Sequence, residues 1–157
     1  MNIVLTRIDD RLIHGQVATI LAKDTKCQRI IVCNDDVERD PIRKMLLEQV
    51  APPGIKASVV GINKAIRVYN NAKNQEDKVL FLFTNPTDVL RMVEGGVPIN
   101  SVNIGAMSFK AGKKQITNAV SVDNKDIEAF KKLNERGIEL EIRKVSSDSK
   151  VSLMSKL

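Results

Sequence analysis

The only histidine of this chain, His14, stands in the stretch RIDDRLIHGQV among two acids and two arginines. A neutral imidazole is nucleophilic, and a carboxylate that holds one ring nitrogen leaves the other free to react. Asp9 or Asp10 is placed to hold the ring in this way. Arginine suits a phosphoryl group because its planar guanidinium donates two parallel hydrogen bonds, and Arg7 or Arg11 offers that group here.

These residue types together are consistent with a histidine that carries a phosphoryl group. A helix that begins near Gly15 would add backbone N–H groups to the same anion. The alternative is a loop histidine at the start of a helix, surrounded by ion-paired neighbours with no chemical role. The spacing alone leaves both interpretations open.

Strand and helix patterns alternate along the chain. Two helix starts are marked by a capping side chain before a proline, at Asp40-Pro41 and Asn85-Pro86. The predicted strands cover residues 2–6, 29–33, 57–60, 78–83, 101–104 and 139–142. The predicted helices cover residues 17–23, 41–50, 63–72, 86–94 and 126–136. This alternation predicts an α/β fold built on a mostly parallel sheet, with one domain over residues 1–157.

The segments after the predicted strands should meet at one edge of that sheet. Ligands of parallel α/β sheets bind outside the carboxyl ends of the strands. Polar or small residues fill these segments at 9–14, 34–36, 84–86 and 105–108. The sequence therefore predicts a polar pocket near His14.

The basic charge does not by itself indicate a nucleic-acid-binding protein. The net charge is +6 and the pI about 9.4, but lysine and arginine are spread over the whole chain and only 3% of residues are aromatic. Binding of single strands uses aromatic stacking platforms, which this composition lacks. We therefore expect no nucleic-acid partner and keep a basic nucleic-acid-binding domain only as an alternative function. A basic face for an acidic protein partner fits the charge equally well.

Other functional classes find little support in the sequence. No apolar run approaches the ~20 residues of a membrane helix, and the amino-terminal residues lack the pattern of a secretory signal, so we expect a cytoplasmic protein. Cys27 and Cys33 lack the spacing of a zinc or redox pair, which favours buried free thiols. We expect no cofactor and no metal.

Beyond this chemistry, RIDDRLIHGQV at 7–17 resembles the phosphorylation-site signature of a known family. The family comprises the IIB components of the mannose/fructose/sorbose branch of the bacterial phosphoenolpyruvate-dependent sugar phosphotransferase system. Further segments resemble the same family in order and cover nearly the whole chain: QRIIVCNDDV at 28–37, RKMLLEQVAPPGIK at 43–56, LFTNPTDVLRMVEGGVPINSVNIG at 82–105, KKQITNAVSVDNKDIEAF at 113–130 and RGIELEIRKV at 136–145.

The resemblance implies a phosphocarrier, a protein-N(π)-phosphohistidine–sugar phosphotransferase. His14 matches the histidine that accepts a phosphoryl group on Nδ1 from a phosphohistidine of the IIA domain. It then passes the group to a sugar that enters through the membrane subunits IIC and IID. Arg11 matches the arginine that stabilises the phosphoryl charge, and Arg43 falls at a functionally implicated arginine. The implied fold is an open, twisted sheet with helices on both faces.

The remaining site residues lie beside His14 or, in the case of Thr84, directly after the predicted strand at 78–83. Asp10 is the first choice to orient the imidazole, and Asp9 is the alternative. Arg7 and Thr84 are further candidates for phosphate contacts. We expect IIA to be a separate polypeptide, while the oligomeric state stays open.

Two positions depart from the family pattern. Leu21 stands where relatives often have tryptophan, and Ala106 where a second glycine is usual, which leaves the identity of the sugar open. The alternative is a signalling module of receiver type that is phosphorylated on aspartate, supported by the acidic pair after the first strand and by Thr84 after a later one. It lacks an obvious phosphoacceptor aspartate at the end of a central strand. It would leave His14 unexplained.

Overall fold

The computed structural model describes all 157 residues. Strands alternate with helices along the chain. The strands are β1 (Asn2–Asp9), β2 (Arg29–Cys33), β3 (Lys56–Val60), β4 (Lys78–Phe83), β5 (Ser101–Ala106), β6 (Lys114–Gln115), β7 (Ser121–Val122), β8 (Glu139–Ile142) and β9 (Val151–Ser152). The helices are α1 (Gly15–Thr25), α2 (Asp35–Glu38), α3 (Pro41–Gln49), α4 (Ile62–Asn70), α5 (Pro86–Glu94) and α6 (Asn124–Glu135), with short 3₁₀ turns at Ala72–Asn74 and Met154–Lys156.

Seven strands form one open sheet in the order β3-β2-β4-β1-β5-β8-β9. All neighbouring pairs are parallel except the last, where β9 runs antiparallel to β8. β1 lies near the middle, between β4 and β5. The segment that follows β1 therefore leaves the sheet at a central position, next to the ends of two other strands.

Helices cover both faces of the sheet, as the alternation of buried side chains shows. Successive residues of a strand point to opposite faces. Along β4, Leu80 and Leu82 belong to one hydrophobic core, while Phe81 and Phe83 belong to another. The first core contains residues of α1 and α3, and the second contains residues of α4, α5 and α6. The predicted fold class is confirmed.

All six predicted strands and all five predicted helices are present, with ends that differ by a few residues. Asp40 and Asn85 cap their helices as predicted, accepting from the amides of Arg43 and Asp88. The most consequential difference is that β1 continues to Asp9, which makes Asp9 a strand residue and not part of a loop. The structure also contains elements that the sequence does not predict, namely the single turn α2 and the two-residue strands β6, β7 and β9.

None of the helices is both long and apolar enough to cross a membrane. Cys27 and Cys33 are buried free thiols, as predicted. Burial raises the pKa of both thiols, and that of Cys33 lies well above its ordinary value. Neither side chain is therefore a reactive thiolate in the folded protein.

Candidate functional site

His14 stands at the junction between a tight loop and the first residue of α1. The loop of residues 10–14 leaves β1 through a turn in which the Leu12 amide donates to the Asp9 carbonyl at 2.9 Å. Leu12 and Gly15 both have positive φ, at 61° and 47°. A leucine in this left-handed region costs roughly 1–2 kcal/mol, so the surrounding structure holds the loop in a strained shape.

The two ring nitrogens of His14 have different surroundings. Nδ1 lies 2.9 Å from the Leu12 carbonyl oxygen, while Nε2 is buried and has no hydrogen-bond partner. Because a carbonyl oxygen only accepts, Nδ1 carries the proton in this arrangement and the lone pair is on Nε2. The ring borders a small cavity lined mainly by apolar side chains, among them Ile13, Val17 and Leu82. The surroundings of His14 are thus less polar than predicted.

The amino terminus of α1 offers unsatisfied donors next to the imidazole. His14 is the N-cap residue, but its side chain makes no capping hydrogen bond, and the first turn contains no acidic residue. The first amides of a helix have no partner within it, and they carry the positive end of the helix dipole. This end of α1 is therefore suited to an anion.

Asp9 holds the Arg11 side chain in a two-point contact. Its Oδ1 accepts from Nε and its Oδ2 from Nη2 of Arg11, both at 3.1 Å. The backbone amide of Arg11 donates to the same carboxylate, also at 3.1 Å. Asp9 is completely buried, whereas the Arg11 side chain is 43% exposed. The guanidinium is therefore fixed on one side and open to solvent on the other.

Arg7 supports Asp9 from within the sheet. Its Nη2 donates to Asp9 Oδ2 at 3.0 Å, and its Nη1 donates to Asn103 Oδ1 at 2.6 Å and to the Arg143 carbonyl at 3.3 Å. The residue is only 1% exposed. Burial lowers the pKa of Arg7, and the adjacent Asp9 partly offsets this effect. The predicted phosphate contact of Arg7 is therefore not found, because its guanidinium is enclosed by protein.

Gly105 gives the Arg7 guanidinium its space. A Cβ built on Gly105 would lie 2.1 Å from Nη2 and 2.2 Å from Cζ of Arg7. The register between β1 and β5 shifts at the same place, since Ile8 pairs with Ile104 but Asp9 pairs with Ala106. Gly105 is the residue left over between these two pairs, and only glycine fits against the arginine.

The prediction that Asp10 orients the imidazole is not met. Its carboxylate accepts from the backbone amide of Ser108 at 2.7 Å and from the Ser108 hydroxyl at 2.9 Å. Asp9, the alternative, is occupied by the two arginines, so the backbone of Leu12 takes the place of a carboxylate at the ring. Asp10 instead fastens the loop of residues 10–14 to the end of β5.

Thr84 and Arg43 make no hydrogen bond to the imidazole. The Thr84 hydroxyl accepts from the side-chain amides of Asn34 and Asn85, at 2.9 and 3.0 Å. It borders a cleft at the ends of β2 and β4 whose lining is entirely polar, and His14 is not part of that lining. Arg43 is exposed on α3, with its side chain in no ion pair. Their phosphate contacts stay predictions.

Four further residues shape the site and were not predicted as site residues from the sequence. Leu12 binds the ring through its backbone, Ser108 holds Asp10, and Asn103 and Gly105 surround Arg7. One signal was available: Asn and Gly alternate with apolar residues in the strand sequence SVNIGA, which places both on one face of β5. The other contacts carry no pattern in the sequence.

Comparison with known proteins identifies relatives over nearly the whole chain. The family model described as "PTS system sorbose subfamily IIB component" matches residues 3–157. The mannose-specific EIIAB component of Escherichia coli (strain K12) is 65% identical over 154 residues, covering 98% of this chain and 48% of that protein. The chain thus spans about half the length of this relative.

Solved structures with the same fold carry related names. The IIBSor domain of the sorbose permease from Klebsiella pneumoniae superposes with a TM-score of 0.97 at 53% identity, covering 99% of this chain and 96% of that one. The N-acetylgalactosamine-specific IIB component 1 from Escherichia coli gives a TM-score of 0.90 at 34% identity, covering 97% and 99%. This chain therefore belongs to the IIB components of the sorbose subfamily of the phosphotransferase system.

Proposed function

We propose that this protein is a phosphocarrier enzyme, a protein-N(π)-phosphohistidine–sugar phosphotransferase. His14 accepts a phosphoryl group from a phosphohistidine of IIA and transfers it to a hexose-type sugar that the membrane subunits IIC and IID translocate. One observation carries the proposal. The only histidine of the chain lies at an uncapped helix amino terminus, three residues after an arginine whose guanidinium is fixed and half-exposed.

Each transfer exchanges one bond to phosphorus for another. The lone pair of a His14 ring nitrogen attacks phosphorus in line with the donor imidazole, and the phosphorus–nitrogen bond of the donor breaks as the new bond forms. The departing ring takes up a proton and His14 releases its ring proton. In the second transfer a sugar hydroxyl oxygen attacks and loses its proton, and the imidazole of His14 takes up a proton.

Positioning and charge stabilisation supply most of the catalysis in such transfers. The first amides of α1 and the free N–H groups of Arg11 would share the charge of the phosphoryl oxygens. A charge-assisted hydrogen bond of this kind contributes about 1.5–3 kcal/mol. No further group of the chain needs to form a covalent bond.

The family resemblance implies that Nδ1 carries the phosphoryl group, and this requires the ring of His14 to move. In the structure Nδ1 faces the Leu12 carbonyl, where it carries a proton and cannot attack. Turning the ring away from Leu12 and shifting the proton to Nε2 would give Nδ1 a free lone pair. We propose that docking of the phosphorylated donor accompanies this turn.

The partner surface would include α3 as well as the loop of residues 10–14. α3 lies on the same sheet face as α1 and exposes Arg43 beside Ile42, Met45 and Leu46. An exposed cation next to apolar side chains fits the rim of a protein interface. The net charge of +6 would favour approach of an acidic, phosphorylated IIA. We place the protein in the cytoplasm, in contact with the membrane transporter.

The receiver-type alternative has less support in the geometry. Asp9 is completely buried with both oxygens bonded to arginines, and Asp10 is held by Ser108. Neither carboxylate at the end of β1 is free to accept a phosphoryl group. The relatives carry the names of several sugars, including mannose, sorbose and fructose, so the proposal stays at the class of hexose-type sugars.

Transfer of label from ³²P-phosphorylated IIA tests the proposal. The wild type should acquire a label that is stable in alkali and labile in acid, and His14→Ala should acquire none while keeping the circular dichroism spectrum of the wild type. His14→Gln is the matched variant, because it retains a polar side chain of similar size, and it should likewise acquire no label. A label that survives both substitutions and is lost in alkali would mean an aspartyl phosphate. An unlabelled wild type would refute the phosphocarrier.

A further inference from the structure

We infer that Asp9, itself fixed by the buried Arg7, is a positioning residue that aims the Arg11 guanidinium at the phosphoryl group. The inference rests on the proposed function and adds residues to it that do not touch the phosphoryl group. The contacts run in the order Arg11–Asp9–Arg7–Asn103, from the half-exposed loop into the buried sheet.

The contact between Asp9 and Arg11 leaves a defined part of the guanidinium free. Of the five N–H groups of an arginine side chain, Nε–H and one on Nη2 are bonded to Asp9. The two on Nη1 and the second on Nη2 have no partner in the protein. Because the fork is planar, fixing one edge also fixes the direction of the opposite edge. Asp9 thereby determines where Arg11 can bind an anion.

One half-exposed arginine does not offset the free-energy cost of burying the Asp9 carboxylate completely. Arg7 provides a second opposite charge through Nη2, at 3.0 Å from Asp9, with both side chains only 1% exposed. Arg7 lies opposite Asn103 in the pairing of β1 with β5, and Asn103 lies opposite Glu141 in the pairing of β5 with β8. Side chains in one row across three strands have little freedom to move. The row therefore holds Asp9 in a single orientation.

Gly105 is the position at which this arrangement can be disturbed from a distance. Any side chain there would overlap the Arg7 guanidinium, whose Nη2, Cζ and Nε all lie within 2.7 Å of the built Cβ. Gly105 makes no contact with the phosphoryl site as described. Gly105→Ala should displace Arg7 and, through Asp9, loosen Arg11. Such an effect on transfer would pass from Gly105 through Arg7 and Asp9 to Arg11.

The decisive experiment is a double-mutant cycle on the rate of phosphoryl transfer from ³²P-phosphorylated IIA. Asp9→Asn keeps the shape of the side chain and removes its charge. We expect it to slow transfer about 10- to 100-fold, the range typical of lost positioning. In an Arg11→Ala background the same substitution should have almost no further effect, because Arg11 is no longer there to be aimed.

Asp77→Asn is the control for the loss of an ion pair elsewhere. Asp77 accepts from Arg29 at 2.9 Å, is partly buried, and directly precedes β4, at the amino ends of the strands, whereas the site lies at their carboxyl ends. It should transfer at the wild-type rate. Should Asp9→Asn fail to fold, Gly105→Ala serves in its place, together with the ¹H–¹⁵N resonance of Arg11 Nε. We expect that resonance to lose its protection from solvent exchange.

The outcomes separate this inference from the proposed function. Equal slowing by Asp9→Asn in the presence and absence of Arg11 would show a general structural role and overturn the inference. So would unchanged transfer by Asp9→Asn, or an unchanged Arg11 Nε resonance in Gly105→Ala. In each of these cases the wild type still becomes labelled, so the phosphocarrier stands. An unlabelled wild type refutes the proposed function instead.

Discussion

The buried pair of Arg7 and Asp9 should contribute to stability only as a pair. Both side chains are 1% exposed, and Arg7 makes hydrogen bonds to Asp9, Asn103 and the Arg143 carbonyl. Removing one partner of a buried ion pair leaves an uncompensated charge in a medium that solvates it poorly. The usual cost is about 3–5 kcal/mol, out of a total of about 5–15 kcal/mol for a domain.

The two single substitutions should differ in a way that follows from the remaining contacts. Arg7→Met leaves Asp9 bonded to Arg11, which still offers one opposite charge, so the loss should be near 3 kcal/mol. Asp9→Asn leaves the Arg7 cation with only neutral oxygens in contact, so the loss should be nearer 5 kcal/mol. The double variant should be about as stable as Asp9→Asn, with a coupling energy of about 3 kcal/mol between the two sites.

Urea denaturation monitored by circular dichroism is the appropriate assay, because guanidinium chloride would itself screen the charges. For a domain of this size each kcal/mol corresponds to about 2–4 °C, so the single variants should melt about 6–20 °C below the wild type. Single losses below ~1 kcal/mol, or losses that simply add in the double variant, would refute the reasoning.

Further predictions concern the ring, the partner surface, acid stability and a thiol. The ¹⁵N spectrum of unphosphorylated His14 at pH 8 should show the Nδ1–H tautomer that donates to Leu12, and an Nε2–H tautomer would contradict the resting geometry. Arg43→Ala should raise the KM for phosphorylated IIA several-fold and leave the melting temperature unchanged, because this side chain is exposed and unpaired; an unchanged KM would remove it from the interface. Arg91 and the Ile62 amide hold the pKa of Asp35 below its ordinary value, so its stabilisation is complete above about pH 4 and is lost as the pH falls further. The stability difference between the wild type and Asp35→Asn, measured in urea from pH 7 to pH 2.5, should accordingly shrink below pH 4, and a constant difference would argue against this ion pair. Burial raises the pKa of the Cys33 thiol, so iodoacetamide should modify it in urea but not in the folded protein, and rapid modification of the folded protein would contradict its burial.

Short-range sequence patterns by themselves determine much of the secondary structure of this protein. Alternating patterns of period two and of helical period, with caps at Asp40 and Asn85, were enough to predict the sheet and the main helices, because these signals act over a few residues. His14 could be singled out in the same way, since its residue type and its place before a helix are both properties of a short segment. The alternation of strands and helices likewise predicts that the carboxyl ends of the parallel strands lie at one edge of the sheet.

The pairing of charges in the site was decided by tertiary structure alone. Asp9 and Asp10 are equivalent in the sequence, yet Asp9 points into the sheet toward Arg7 and Arg11, whereas Asp10 turns outward to Ser108. Strand pleating makes this difference once β1 extends to Asp9, and that extension has no local signal. The space for Arg7 depends on Gly105, almost a hundred positions away, which reaches it only because β5 pairs with β1. Contacts between distant segments follow from packing, and packing is a property of the whole chain.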